Sequence, residues 1–188
     1  MLHHLKQKHM TVKSKNLVFI GLQIIAWIIF VGLCIEAGGL LVNFIFSIFN
    51  PQMVSKLYEK LDLSAIYTQS KWAFFGLYGF ILFVALLKAC LFFIVIRLLQ
   101  KLNLSKPFNH FVSQQITQLS YCTFAIGIIS LIARQVAKSL LHYGFDTTVL
   151  NRFWVDSEAF ILMAAVIFVI AAIFNKGVEL QNENDLTV

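Results

Sequence analysis

Charge is what this chain has least of. Asp, Glu, Lys and Arg make up 13% of its 188 residues, about half the ~25% of a soluble domain, which is too little to solvate an ordinary globular surface. Proline occurs only twice, at Pro51 and Pro107, so little interrupts a helix between them. The three cysteines, Cys34, Cys90 and Cys122, each fall inside an apolar run, and no C-x-x-C is present. That excludes a disulfide framework and argues against thiol-redox chemistry; a small buried hydrophobe is the expected role. No phosphate loop, zinc motif or nucleophile–base set is recognisable. His3, His4 and His9 lie in a basic N-terminal tail, and His110 and His142 are isolated. No metal, cofactor or catalytic residue is expected, and the chain reads as non-enzymatic.

What is present is apolar. Hydrophobic residues reach 59%, with 19 Phe, against about 45–50% in soluble domains. They gather in four blocks at about 17–49, 72–99, 111–141 and 158–174, followed by a polar tail at 175–188. A bilayer core needs ~20 apolar residues per helix. The expected fold is therefore all-α: an integral membrane bundle of four transmembrane helices, forming one domain over residues 1–188. The basic start resembles a signal peptide, but the run from Leu17 is far longer than a ~7–15 residue h-region and lacks an A-x-A cleavage pattern. It reads as a retained first span. The first block is long enough to tilt or to bend at Gly38-Gly39, and Asn50-Pro51 ends it.

The connections carry weaker signals. Met53, Leu57 and Leu61, four apart with Lys56, Glu59 and Lys60 between them, suggest a short amphipathic helix on the membrane surface. Ser105 or Asn109 can cap the third helix. Phe145, Phe153 and Trp154 suit the headgroup level.

The net charge of +6 reports orientation, not nucleic-acid binding. Eight Lys and Arg residues flank the ends on the side of the termini, five flank the other side, and Lys88 and Arg134 lie within blocks. The bias favours both termini in the cytoplasm.

Three ionisable residues, Glu36, Lys88 and Arg134, sit deep in the blocks. Each costs at least ~2.5–3.5 kcal/mol at a bilayer centre and needs a partner. Block three bears a small and polar stripe, Ser113, Thr117, Ser120, Thr123, Gly127, Ser130, Arg134 and Lys138, at helical spacing. Block one bears Gly32, Glu36, Gly39, Asn43 and Ser47. Matching stripes let membrane helices pack closely, so blocks one and three are expected to face each other with Glu36 near Arg134 or Lys138. That pair either orients two helices or lines a polar cavity open to the outer side. Lys88 is expected nearer the cytoplasm, snorkelling to the interface or bonding Gln23, Gln118 or a helix C-terminus. Asp156 and Glu158 favour the dipole at the start of block four. The Ala164, Ala165, Ala171 and Ala172 face, or Gly76 and Gly79, could pack on a second copy.

Leu104-Ser105-Lys106-Pro107-Phe108, followed by a polar helix start, and the segment Phe174-Asn175-Lys176-Gly177-Val178-Glu179-Leu180-Gln181 running on to Val188 together resemble a family. It is the uncharacterised bacterial four-helix membrane family, domain-of-unknown-function 2975. The resemblance covers blocks two to four. It implies a membrane component encoded beside a small helix-turn-helix regulator, and no catalytic residue. The tail, with Gly177, Glu179, Leu180, Glu183 and Asp185, then offers an acidic patch on which a basic DNA-binding protein could dock, or packs on the base of the bundle. The leading expectation is a sensor or anchor acting on a cytoplasmic transcription regulator, touching lipid and that protein but no nucleic acid directly. The alternative is a small transporter, channel subunit or immunity protein with a polar interior around Glu36, Lys88 and Arg134.

Overall fold

The computed structural model describes residues 2–50, 52, 54, 61–102, 107–154 and 156–186, with side chains from 17 to 183. It is all-helical, with no strand among the described residues. Helix α1 spans Leu2–Phe49, α2 Ser64–Gln69, α3 Lys71–Lys101, α4 His110–His142 and α5 Ser157–Leu186, with a 3₁₀ segment at Thr148–Phe153 before α5. Four stretches are long and apolar enough to cross a membrane: Leu17–Phe49, Lys71–Lys101, His110–His142 and Thr148–Glu183. In lipid every backbone N–H and C=O must be satisfied within the segment, so such runs become helices. The chain is a multi-pass membrane protein, and four alternating spans place its two ends on one side, called here the terminal end.

Local chemistry sets most boundaries. Ser70 caps α3, its hydroxyl accepting from the Ala73 N–H at 3.4 Å. Asn109 caps α4, accepting from the Val112 N–H at 2.9 Å; Ser105 lies outside the described residues. Helix α4 ends at Gly144, whose φ of +87° suits glycine. The Gly144 N–H donates to the Leu141 carbonyl and the Phe145 N–H to the Leu140 carbonyl, each at 3.1 Å. These two bonds are a Schellman stop, and Leu140 and Phe145 both pack on the core beside it. Helix α1 runs unbroken through Gly38-Gly39, because glycine costs only about 1 kcal/mol in a helix interior and nothing here supplies an alternative backbone partner.

The helices pack in a row. Helix α1 lies on α3, α3 on α4 and α4 on α5, with α2 on α3. The largest core sits at the end away from the termini. Leu40, Phe74, Tyr78 and Ala133 from three helices meet Leu61, Leu63 and Ile66 of the first connection and Leu150 and Trp154 of the last. The Tyr78 hydroxyl donates to the Leu40 carbonyl at 3.0 Å. A smaller core at the terminal end joins Val112, Ile116 and Ala171 with Leu98, Phe111 and Phe174.

Two expectations about the connections change. Met53 and Leu57 lie outside the described residues, but Leu61 is buried, so at that position the first connection plugs the core instead of lying on the membrane surface. Trp154, expected at the headgroups, is 1% exposed; the 3₁₀ segment folds it back under α4, where the Thr147 hydroxyl donates to the Ala137 carbonyl at 2.8 Å. A further difference is the tail, which continues α5 as helix to Leu186.

Both distal connections turn in the same way. Asp62 accepts from the Ser64 hydroxyl at 2.6 Å and the Ser64 N–H at 2.9 Å. Asp146 accepts from the Thr148 hydroxyl at 2.6 Å and the Thr148 N–H at 3.2 Å. The hydroxyl bonds, then the backbone bonds, hold both carboxyls below their ordinary range. A depressed folded value means that the stabilisation is fully present above the unfolded carboxylate value and is lost as pH falls through the lower folded one. Thermal unfolding of the detergent-solubilised protein is expected to weaken on acidification below about pH 4, and less so in an Asp62→Asn/Asp146→Asn variant.

Candidate functional site

The polar stripe of α4 is a packing face, and its partner is α5. Every seventh residue meets that helix. The Ser113 hydroxyl donates to Asn175 Oδ1, and the Ser120 hydroxyl donates to the Ala164 carbonyl at 3.0 Å. At Gly127 an added Cβ would lie 2.7 Å from Ile161 Cγ1, 3.0 Å from the Ile161 nitrogen and 3.2 Å from the Ser157 carbonyl oxygen. Arg134 forms a two-pronged ion pair with Glu158, with Nη1 to Oε2 at 3.1 Å and Nη2 to Oε1. Ser157 also donates to Glu158. A seven-residue repeat keeps one seam facing one neighbour over successive turns. Small residues on that seam let the backbones approach, and Gly127 brings the first turn of α5 within reach of Arg134.

This corrects the expected pairing of Glu36 with Arg134 or Lys138. Helix α1 packs chiefly on α3, and Arg134 is taken by Glu158, so Glu36 is not its partner. Glu36 is half-buried beside Ala37 on α1 and has no ion pair among the described residues. Lys138 is exposed on the last turns of α4. The stripes matched in composition, but the alanines of α5 match as well. Ala164 and Ala171 are both 2% exposed, so they are engaged within the chain and not free for a second copy. Gly76 and Gly79 meet nothing within 4 Å.

Lys88 is also relocated. It bonds neither Gln23 nor Gln118, and it points away from the terminal end. It lines a small pocket with Ser130, Arg152, Trp154, Asp156 and Ser157. Asp156 thus shares a pocket with Lys88, and Glu158 serves the ion pair. Glu36 therefore stands apart, whereas Lys88 lines a pocket with Ser130 and Ser157, one turn from Arg134 and next to its partner Glu158. No group of three or more His, Cys, Asp or Glu side chains able to hold a metal occurs among the described residues.

The terminal end brings the two distinctive sequence segments into contact. Phe108 follows Pro107 and lays its ring on Gly177, where an added Cβ would lie 2.5 Å from the ring's Cδ1. The ring also packs on Phe174, with centroids 5.2 Å apart. One residue on, Asn109 starts α4, and four further on Ser113 bonds Asn175, so Phe108 and Ser113 tie the loop and the helix start to α5. Beyond this clasp Val178 is 4% exposed. Glu179 pairs with Lys176 at 2.9 Å, which neutralises part of the expected acidic patch. Glu183 is exposed, Leu180 is 50% exposed, and the side chain of Asp185 lies outside the described residues.

Beside the clasp runs an open groove of about 540 Å³, lined by His110, Gln114, Thr117, Gln118, Tyr121 and Asn175. Four of its α4 residues, His110, Gln114, Gln118 and Tyr121, advance by three or four and so share a face. The polar helix start visible in the sequence supplies one wall, and Asn175 of α5 supplies the other.

The family model described as "Protein of unknown function (DUF2975)" matches residues 57–188. No curated protein and no solved structure matches. The matched region takes in the α4–α5 seam and the clasp and leaves α1 outside.

The two close glycines should respond differently to substitution. Gly127→Val drives a side chain into α5 backbone and is expected to cost about 1–3 kcal/mol or more, as overpacking does. Gly177→Val meets only a phenyl ring, so adding Phe108→Ala should restore most of its loss. Thermal unfolding of the two single variants and of each combined with Phe108→Ala provides the check; equal rescue at both glycines would contradict the assignment.

Proposed function

We propose that this chain, which belongs to the DUF2975 family, is a non-enzymatic sensor or anchor of a bacterial inner membrane, acting on a cytoplasmic helix-turn-helix regulator. Its terminal end faces the cytoplasm in this reading, as the Lys and Arg bias favours. The observation that carries it is Leu180, half exposed between Glu179 and Glu183 on the projecting end of α5. Helix α5 has 30 residues, about 45 Å at ~1.5 Å per residue, against a hydrocarbon core of ~30 Å. Its last turns therefore stand in water, where an exposed leucine flanked by carboxylates suits a partner with an apolar spot inside a basic surface.

The clasp gives such a surface a route into the membrane. Phe108 and Asn175 join the start of α4 to α5, and the seam runs from there to Arg134 and Glu158. A change at the far end that shifts α5 along α4 would move the docking helix. The competing transporter or channel reading needs a shared polar interior around Glu36, Lys88 and Arg134; Arg134 is taken by Glu158, and Glu36 pairs with neither of the other two.

Capture from solubilised bacterial membranes tests the proposal. The full chain should retain a DNA-binding protein that is lost on removal of residues 177–188 and weakened by Leu180→Asp. Recovery of the same proteins with all three forms would end the docking idea.

A further inference from the structure

The pocket at Lys88 has a composition that the packing does not require. Its volume is about 30 Å³, close to the share of one water molecule in the liquid. Its walls come from four elements: Lys88 of α3, Ser130 of α4, Arg152 and Trp154 of the 3₁₀ segment and its cap, and Asp156 and Ser157 at the start of α5. Lys88 is half-buried and has no ion pair among the described residues. Trp154 is 1% exposed, and its indole N–H, although buried, has no hydrogen-bond partner among the described residues. An unsatisfied buried donor costs about 1–3 kcal/mol, and an unpaired ammonium within a membrane costs at least as much.

The chemistry of the walls is one-sided. Lysine, arginine and tryptophan side chains donate and cannot accept. Ser130, 3% exposed, can turn its hydroxyl either way, while Ser157, 1% exposed, already donates to Glu158. Ser157 is the first residue of α5, so the pocket also meets the positive end of a long helix. Asp156 is the one anionic wall among the described residues, and it is exposed, where water screens it. The nearby Glu158 carboxylate is already taken by Arg134. A cation would meet the Lys88 ammonium and a helix dipole of the wrong sign. A phosphate or sulfate is too large for the volume.

We propose that this pocket binds a monatomic anion of chloride size, held by Lys88 of α3, the Trp154 indole N–H and Ser130 of α4, beside the start of α5. The anion neutralises Lys88, satisfies the buried indole and links α3 to α4 and α5 at one point. It is independent of the regulator reading and stands or falls by itself.

Tryptophan fluorescence reads the site directly. In the full chain carrying Trp27→Phe and Trp72→Phe, Trp154 is the sole reporter. Bromide titrated into the detergent-solubilised protein, with gluconate holding ionic strength constant, should quench Trp154 along a saturable curve. Chloride should reverse the quenching, and Lys88→Met should abolish the saturable part. Chloride should also raise the unfolding temperature over gluconate in the parent and not in Lys88→Met. If Lys88→Met does not fold, Ser130→Ala takes its place and should weaken the saturable part. Quenching that stays linear in bromide, with the same unfolding temperature in chloride and gluconate, overturns the proposal and leaves the pocket to water.

Discussion

The seam between α4 and α5 is the constraint on which the rest of the structure depends. It combines a close backbone approach, at Gly127, with the ion pair of Arg134 and Glu158. The two need each other. Arg134 lies within a span and must be neutralised, since a bare charge there costs several kcal/mol. Glu158 sits on the first turn of α5, and only a glycine opposite lets that turn come close. The ion pair is open to solvent on the acid's side, with Glu158 62% exposed and Arg134 23%, so its Coulomb energy is partly screened. Its value lies in fixing the register of two helices whose other contacts, small residues seven apart, would tolerate a slip.

From this register the two ends follow. At the distal end α5 starts deep enough that the connection before it must fold back, and this carries Leu150 and Trp154 into the core against Ala133 and Ala137. The same descent brings Asp156 and Ser157 to Lys88. At the terminal end the register sets Asn175 against Ser113 and Gly177 under Phe108. Helix α1 stands apart from this logic. It touches chiefly α3, presents most of its apolar side chains outward and precedes the matched family region. Lipid tails suit such a surface.

Much of the architecture was legible in composition and period. The four apolar blocks became the four spans, Asn109 became the α4 cap, and α1 closed at Phe49, before Asn50. The family resemblance, drawn from the segments at 104–108 and 174–188, agrees with the match over residues 57–188. The small and polar face of α4 was also visible, but its partner was not. Period shows which residues share a face and says nothing of which neighbour the face meets, and both block one and block four carried small residues. Position within a block misled for Lys88, because a long side chain reaches polar groups more than a turn from its own backbone. Trp154 read as an interface residue because tryptophan often is; the fold-back that buries it depends on contacts with α4 far away in sequence. Spacing alone could not reveal that Phe108 and Gly177 touch, although a glycine inside an otherwise regular helix is a signal of close approach.

Cysteine cross-linking in membranes tests the central claim, that the α4 stripe faces α5 and not α1. In a background with Cys34, Cys90 and Cys122 replaced by alanine, the account predicts a rapid disulfide between Ser120→Cys and Ala164→Cys and none between Glu36→Cys and Arg134→Cys. The reverse pattern would contradict it.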